Sequence, residues 1–358
     1  MRALFSVSNK SGIENLAKPV INYGFNIISS GGTYSYLKEK NFQVQEVSEY
    51  TQSSELLEGR VKTLHPIIHA GILAKRDSLS HMSELEDNQI GKIDLVVVNL
   101  YPFVEKVNNG DSHENIIENI DIGGPTLIRA AAKNFKDVII IVDPEDYNWI
   151  AKRFLEFDKK RDVLEILSYE ERKNLAKKAF QHVSVYDASI SRYFSSSEDV
   201  YISEESSFGF KKSLNLRYGE NPHQKGSLYK DPLSNTGIAN AIQLNGKELS
   251  FNNILDADAA WNIVAEFSDS SVAIIKHGNP CGFSVNNNQL NAYKLAYLGD
   301  SVSAYGGIIA FNKEVSTESA LSMMEVFYEV VIAPSYSFEA LNILKSKKNR
   351  RILQMPRQ

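Results

Sequence analysis

Leu95-Val96-Val97-Val98 is an unbroken aliphatic run, followed at once by Asn99-Leu100-Tyr101-Pro102. A strand with one wet face alternates apolar and polar residues. A strand apolar on both faces must be covered from both sides, as inside a parallel sheet flanked by helices. The pattern recurs along the first half of the chain. Ala3–Val7, Asn26–Ser29 and Val138–Val142 read as further strands. Helical spacing appears at Ile13, Leu16, Ala17 and Val20, then at Tyr34–Lys40 and Thr126–Lys133. Gly24 closes the first of these helices. Such alternation predicts a doubly wound α/β domain, ended by a helix over Glu170–Phe194.

The composition changes after that helix. Ser195 to Asp199 and Ser203 to Ser207 carry few apolar residues, so 196–210 reads as a linker between a domain at 1–195 and a second at 211–358. Two domains also suit a chain of 358 residues. The second half holds strand candidates at Val272–Ile275, Gly307–Phe311 and Arg351–Met355. Helical patterns lie at Asp256–Phe267, Leu290–Leu298 and Ser319–Glu329. Lys and Arg number 39 against 44 Asp and Glu, a net charge of −5, which argues against a nucleic-acid binder held by overall charge. A single cysteine, Cys281, excludes an intrachain disulfide framework and a cysteine-cluster zinc site. No apolar run approaches the ~18 residues of a membrane-spanning helix. The opening MRALFSVSNKSG turns polar too early for a signal peptide. A soluble, cytoplasmic protein without membrane contact is expected.

Polar residues gather where strands give way to helices. Ser29-Ser30-Gly31-Gly32-Thr33 joins a strand to a helix, where free N–H groups and the helix dipole favour a phosphate. Ser8-Asn9-Lys10-Ser11-Gly12 has the same placement, and two such turns on neighbouring strands would form one anion pocket. Either is equally readable as an ordinary capped turn. In Gly59-Arg60-Val61-Lys62-Thr63-Leu64-His65-Pro66, extended geometry would aim Arg60 and Lys62 the same way, as a clamp on an anion or as two solvated cations. Tyr101 ends a buried strand, Asp121 precedes the helix of Gly123-Gly124-Pro125-Thr126, and Lys133 closes it. Packing, capping and dipole roles would each suffice singly; their convergence on strand ends and helix starts favours a site.

In the second half, Lys276-His277-Gly278-Asn279-Pro280-Cys281-Gly282 leaves a buried strand. A histidine beside a cation has its protonated form disfavoured, which suits a general base; a satisfied core or loop histidine is the other reading. Leu216-Arg217-Tyr218-Gly219-Glu220-Asn221-Pro222-His223-Gln224 is a second dense polar cluster, equally readable as a loop with turn residues. Pro280-Cys281-Gly282 suggests a zinc deaminase, but that chemistry needs a second cysteine where Ser284 stands, so no metal is expected.

Together, SNKSG, SSGGT, GRVKTLHP, NLYPF, DIGGPTLIRAAAKN, LRYGENPHQ, KHGNPCG, SAYGGIIAFN and VIAPSY run in one order over nearly the whole chain. In these motifs it resembles the bifunctional 5-aminoimidazole-4-carboxamide ribonucleotide (AICAR) transformylase/IMP cyclohydrolase family. The resemblance implies an α/β chain: a methylglyoxal-synthase-like domain, then part of a cytidine-deaminase-like transformylase domain. It implies two final steps of purine synthesis. Formyl passes from 10-formyltetrahydrofolate, a co-substrate, to AICAR; formyl-AICAR then closes to IMP with loss of water. For ring closure it assigns catalysis to Lys62, Tyr101, Asp121 and Lys133, and nucleotide binding to Ser8, Lys10, Ser30, Gly32, Thr33, Arg60 and Thr63. For formyl transfer it assigns proton handling to Lys276 and His277, and AICAR binding to Arg217, Tyr218, Asn221 and His223. It implies a homodimer, with no metal and no permanently bound cofactor. Family chains run on beyond the segment matching Arg351–Met355, so the 358-residue chain is expected to show little formyl transfer. A methylglyoxal synthase would share the first fold but leave the second half unexplained. A phosphate-binding regulatory module without catalysis is the rival from another class; Lys62, Tyr101, Asp121 and Lys133 together argue against it.

Overall fold

The structure, a computed structural model, describes residues 1–54, 57–157, 162–195 and 204–356. The chain divides into two compact units, Met1–Gly209 and Phe210–Gln358. Of the linker expected over 196–210, residues 196–203 lie outside the described residues.

The first unit is built on a parallel five-stranded sheet. Its strands are β1 (Arg2–Val7), β2 (Asn26–Ser29), β3 (Val44–Glu46), β4 (Leu95–Asn99) and β5 (Ile139–Ile141), ordered β3-β2-β1-β4-β5. The helices of this unit are α1 (Ile13–Tyr23), α2 (Gly31–Glu39), α3 (Val47–Thr51), α4 (Pro66–Leu73), α5 (Leu79–Asp87), α6 (Phe103–Asn108), α7 (His113–Glu118), α8 (Gly123–Lys133), α9 (Tyr147–Glu156) and α10 (Tyr169–Ser195). Every residue of β4 is buried, as its aliphatic run requires. Gly24 takes φ 114° and ends α1 with backbone bonds to Val20 and Ile21. The glycine turn expected at Ser30–Thr33 is instead a helix start: Ser30 is the extended N-cap and Gly31 already belongs to α2. Gly209 lies against Val185 and Ala188 of α10, which draws the end of the expected linker into this unit.

The order reverses between β1 and β4. In open α/β sheets, ligands settle in the crevice at the carboxyl ends of the strands flanking such a reversal. Here those ends are Val7–Lys10 and Asn99–Tyr101.

The second unit has a mixed six-stranded sheet and a small hairpin. The hairpin pairs β6 (Lys211–Asn215) with β7 (Ser227–Lys230). The sheet contains β8 (Ile242–Asn245), β9 (Ser271–Lys276), β10 (Asn279–Val285), β11 (Ile308–Phe311), β12 (Val330–Ala333) and β13 (Arg351–Gln354), ordered β10-β9-β11-β12-β13-β8. Its two faces follow the period of two. Ala273, Ile275, Ala310, Ile332 and Leu353 pack beneath α11 (Phe251–Ala265). Val272, Ile274, Ile309, Val331 and Ile352 pack beneath α12 (Gln289–Gly299), α13 (Thr317–Met323) and α14 (Phe338–Lys345). The helix expected over Ser319–Glu329 ends at Met323. Gly306 N–H bonds to the Phe327 carbonyl and Glu329 N–H to that of Gly307, which pulls the segment onto the sheet before β12.

Candidate active site

The reversal between β1 and β4 is locked by one side chain. Asn99 accepts from Asn9 N–H at 2.8 Å and donates to the Asn9 carbonyl at 2.9 Å. This two-point amide clamp fixes the Ser8–Lys10 turn against the end of β4. Nothing in the spacing of Asn9 and Asn99 signals it.

Opposite that turn is the N-terminus of α2, with unpaired N–H groups and a positive dipole end. A Cβ on Gly31 would lie 2.5 Å from Lys62 Nζ, and one on Gly32 would lie 3.4 Å from Lys10 Nζ. Glycine therefore lets two ammonium groups close on the first turn of the helix, and Gly31 also holds φ 52°. Ser30 is buried, and its Oγ has no hydrogen-bond partner among the described residues. A buried hydroxyl without a partner is costly. Two cations, a helix start and this hydroxyl make a cradle suited to an anion.

Thr33 is used differently from the expectation. Its hydroxyl donates to the Val7 carbonyl and accepts from Val7 N–H, both at 2.9 Å. It ties α2 to the end of β1, leaving that hydroxyl committed to the backbone. Arg60 is also reassigned. Residues 60–63 form a turn rather than an extended segment, so Arg60 and Lys62 diverge. Arg60 points to the surface and pairs with Glu118 of α7.

Thr63, next to Lys62, is buried beside the start of α8; a Cβ on Gly123 would lie 2.6 Å from its Oγ1. Asp121 sits at the same helix start. Its carboxylate accepts from Gly124 N–H at 2.7 Å and from the backbone of Tyr101. A Cβ on Gly124 would lie 2.5 Å from Asp121 Oδ2 and 2.7 Å from Leu100 Cδ2. The glycine pair thus allows close approach of α8 to the end of β4. Burial pushes the Asp121 carboxyl above the usual aspartate range, against the pull of those two N–H groups. Burial, with the nearby Asp121 charge, also raises the Tyr101 phenol. A phenol so held keeps its proton and serves as a donor; the carboxylate beside it serves as an acceptor.

Lys62 and Lys10 thus reach the start of α2, Tyr101 and Asp121 pair at the start of α8, and Thr63, next to Lys62, reaches that same helix start. Lys133 lies apart from both. It lies at the other end of α8, about 15 Å along the helix axis from Gly123 at 1.5 Å per residue. There it lines a groove of about 830 Å³ with Leu64, His69, Leu73 and Phe180. Within one chain, Lys133 and Asp121 therefore stand at opposite ends of α8.

In the second unit, α11 anchors both polar clusters. Arg217 Nη2 donates to Tyr218 Oη at 2.7 Å and lies over that ring, 4.6 Å from its centre. The Arg217 bond holds the Tyr218 phenol below its ordinary range. The Tyr218 carbonyl accepts from Phe251 N–H at the start of α11. Asn221 N–H bonds to Gln224 Oε1, shaping the loop that also bears His223, which is exposed. His277 and Gly278 form the two-residue turn between β9 and β10. Asp256, on α11, accepts from both of their N–H groups at 3.1 and 2.7 Å. Lys276 Nζ donates to the Tyr305 carbonyl at 2.8 Å. Asp256 follows the Ser250 cap by six positions, about 9 Å of helix rise. Both clusters are therefore tied to the first two turns of α11. Cys281 is half-buried in β10, and burial raises its thiol. Among the described residues no group of three metal-ligating side chains occurs, and no helix is long and apolar enough to cross a membrane.

Residues 12–126 match the family model described as MGS-like domain, and residues 131–358 match the one described as AICARFT/IMPCHase bienzyme. The chain is 50% identical to the bifunctional purine biosynthesis protein PurH of Fusobacterium nucleatum subsp. nucleatum, over 99% of this chain and 68% of that protein. It is 50% identical to the Aquifex aeolicus protein of that name, over 99% and 69% respectively. It is 48% identical to the Dictyostelium discoideum one, over 99% and 70%. With that identity spread along both units, the chain belongs to the AICARFT/IMPCHase bienzyme family.

Proposed function

We propose that the first unit closes formyl-AICAR to IMP. The carboxamide nitrogen attacks the formyl carbon, and the former formyl oxygen leaves as water. That nitrogen is a weak nucleophile and hydroxide a poor leaving group, so the site must fold the substrate and move protons. Asp121 takes the proton from the carboxamide nitrogen. Tyr101 and Lys62 hold the developing charge on the formyl oxygen and deliver protons to it. Lys10, Ser30 and the start of α2 hold the phosphate. The single observation that supports this reading is the Tyr101–Asp121 pair at the start of α8, with Thr63 at that helix start and the adjacent Lys62 reaching the α2 cradle. A regulatory module would need the cradle but not the acid–acceptor pair.

The second unit carries the machinery for formyl transfer from 10-formyltetrahydrofolate to the AICAR amine, with Lys276 and His277 handling its proton. Arg217, Tyr218, Asn221 and His223 bind AICAR. The protein acts in the cytoplasm as a homodimer on small-molecule substrates, without nucleic acid or membrane. The test is ring closure by the purified chain, followed by the ultraviolet absorbance of IMP, with and without EDTA. EDTA-insensitive turnover is expected. Phosphate-dependent binding of formyl-AICAR without any turnover would favour the regulatory reading instead.

A further inference from the structure

Asp121 is held from a direction that none of the sequence motifs announce. The segment Asn119–Ile122 links α7 to α8, and its backbone is tied by a single side chain from α10. Tyr186 Oη accepts from Asp121 N–H at 2.8 Å and donates to the Asn119 carbonyl at 3.2 Å. The ring is 7% exposed and packs edge-on against Phe103, 6.1 Å between centres. Phe103 begins α6, two residues after Tyr101. The same aromatic contact thus braces the segment that carries the phenol and the segment that carries the carboxylate.

We propose that Tyr186 is a positioning residue for ring closure, setting Asp121 through its backbone while Gly124 N–H sets the carboxylate. The proposal rests on the cyclohydrolase reading above. With the hydroxyl gone, one N–H and one carbonyl of the linking segment lose their partner. Asp121 is then fixed at its carboxylate but free at its backbone. Misplacement of a reacting group by about 1 Å costs about 100-fold in rate. The phosphate-holding Lys10, Ser30 and start of α2 lie outside the Asn119–Ile122 segment, so substrate binding is spared.

The experiment is Tyr186→Phe, which keeps the ring and removes one oxygen. Two measurements are made: kcat and KM for formyl-AICAR closure, and amide hydrogen exchange at Asp121 without substrate. The expected result is a kcat lower by about 10- to 100-fold with KM within about threefold, and Asp121 exchange faster by at least about tenfold. A merely structural role predicts a lower melting temperature with kcat preserved in the folded fraction. No ring closure by the parent chain refutes the cyclohydrolase reading. Unchanged Asp121 exchange, or unchanged kcat in an active parent background, refutes the role of Tyr186.

Discussion

Replacing Gly124 by alanine adds one methyl group where α8 meets the end of β4. The new Cβ would stand 2.5 Å from Asp121 Oδ2 and 2.7 Å from Leu100 Cδ2. Ordinary contact begins near 3.4 Å, so the carboxylate must retreat by about 0.9 Å, a shift that costs about 100-fold in rate at a reacting group. Stability changes less. Alanine recovers up to about 1 kcal/mol of helix propensity, and overpacking costs about 1–3 kcal/mol. The net is a loss of about 0–2 kcal/mol, readable as a modest fall in Tm. Lys10, Ser30 and Lys62 contact other elements, so KM should stay within about threefold. The assay is the initial rate of IMP formation beside a thermal melt. A folded Gly124→Ala chain turning over within about threefold of the parent would refute the placement of Asp121 at the reacting atoms.

Two further outcomes follow from the same site. Lys62→Ala removes a charged donor from the first turn of α2, and loss of one such donor costs about 100- to 1,000-fold in kcat; normal turnover in the folded variant would retire Lys62. The Asp121 carboxyl sits above its ordinary range through burial, and a base works only when deprotonated, so kcat should fall with falling pH already above the usual aspartate range. Tyr101 is raised and works protonated, so it should impose no loss before pH exceeds the usual tyrosine value. For stability the Asp121 sign is opposite to that of a salt-bridged carboxylate. Its raised folded-state value favours the protonated form, so its contribution weakens as pH rises from the unfolded-state value through the folded one. An acid limb within the ordinary aspartate range, in a profile of kcat against pH, would contradict the assignment.

Much of the first unit is legible because its central strands are buried on both faces. β1, β2, β4 and β5 each show an apolar run, and the polar residues after them mark where a ligand can sit. β3 has three residues, too few for a period to register. β10 is hidden for another reason. It begins Asn279-Pro280 and contains Gly282, residues that usually stop a strand. The strand tolerates proline because it is an edge of its sheet, and its ladder shifts register between Pro280 and Gly282. Gly282 is required where a Cβ would stand 1.8 Å from the Ala296 carbonyl. At the site, local motifs named the members but not their neighbours. Asn99 on Asn9 and Tyr186 on Asp121 are tertiary contacts between residues 90 and 65 positions apart. Lys133 shows the converse, since a motif continuous in sequence spans a whole helix and sets its two ends apart within one chain.

His277 breaks a local rule where the proposed function needs it to. The turn joining β9 to β10 has φ 53° at His277 and 74° at Gly278, the two positive values of a type I′ turn. Glycine meets this demand freely at the second position, and asparagine is the usual residue at the first. A left-handed conformation costs an ordinary residue about 1–2 kcal/mol. Asp256 offsets part of this by accepting both turn N–H groups. His277→Asn should therefore raise stability by about 0.5–1.5 kcal/mol, since it replaces a strained residue by one suited to the turn. Denaturant unfolding of the full chain measures this, with amide exchange at Gly278 as the local readout. In a chain competent for formyl transfer, the same substitution should abolish activity while the turn becomes more stable. That opposition of signs separates a residue kept for chemistry from one kept for packing. A His277→Asn chain less stable than the parent would mean that the imidazole itself supports the fold, and would remove the stability cost that argues for its catalytic role.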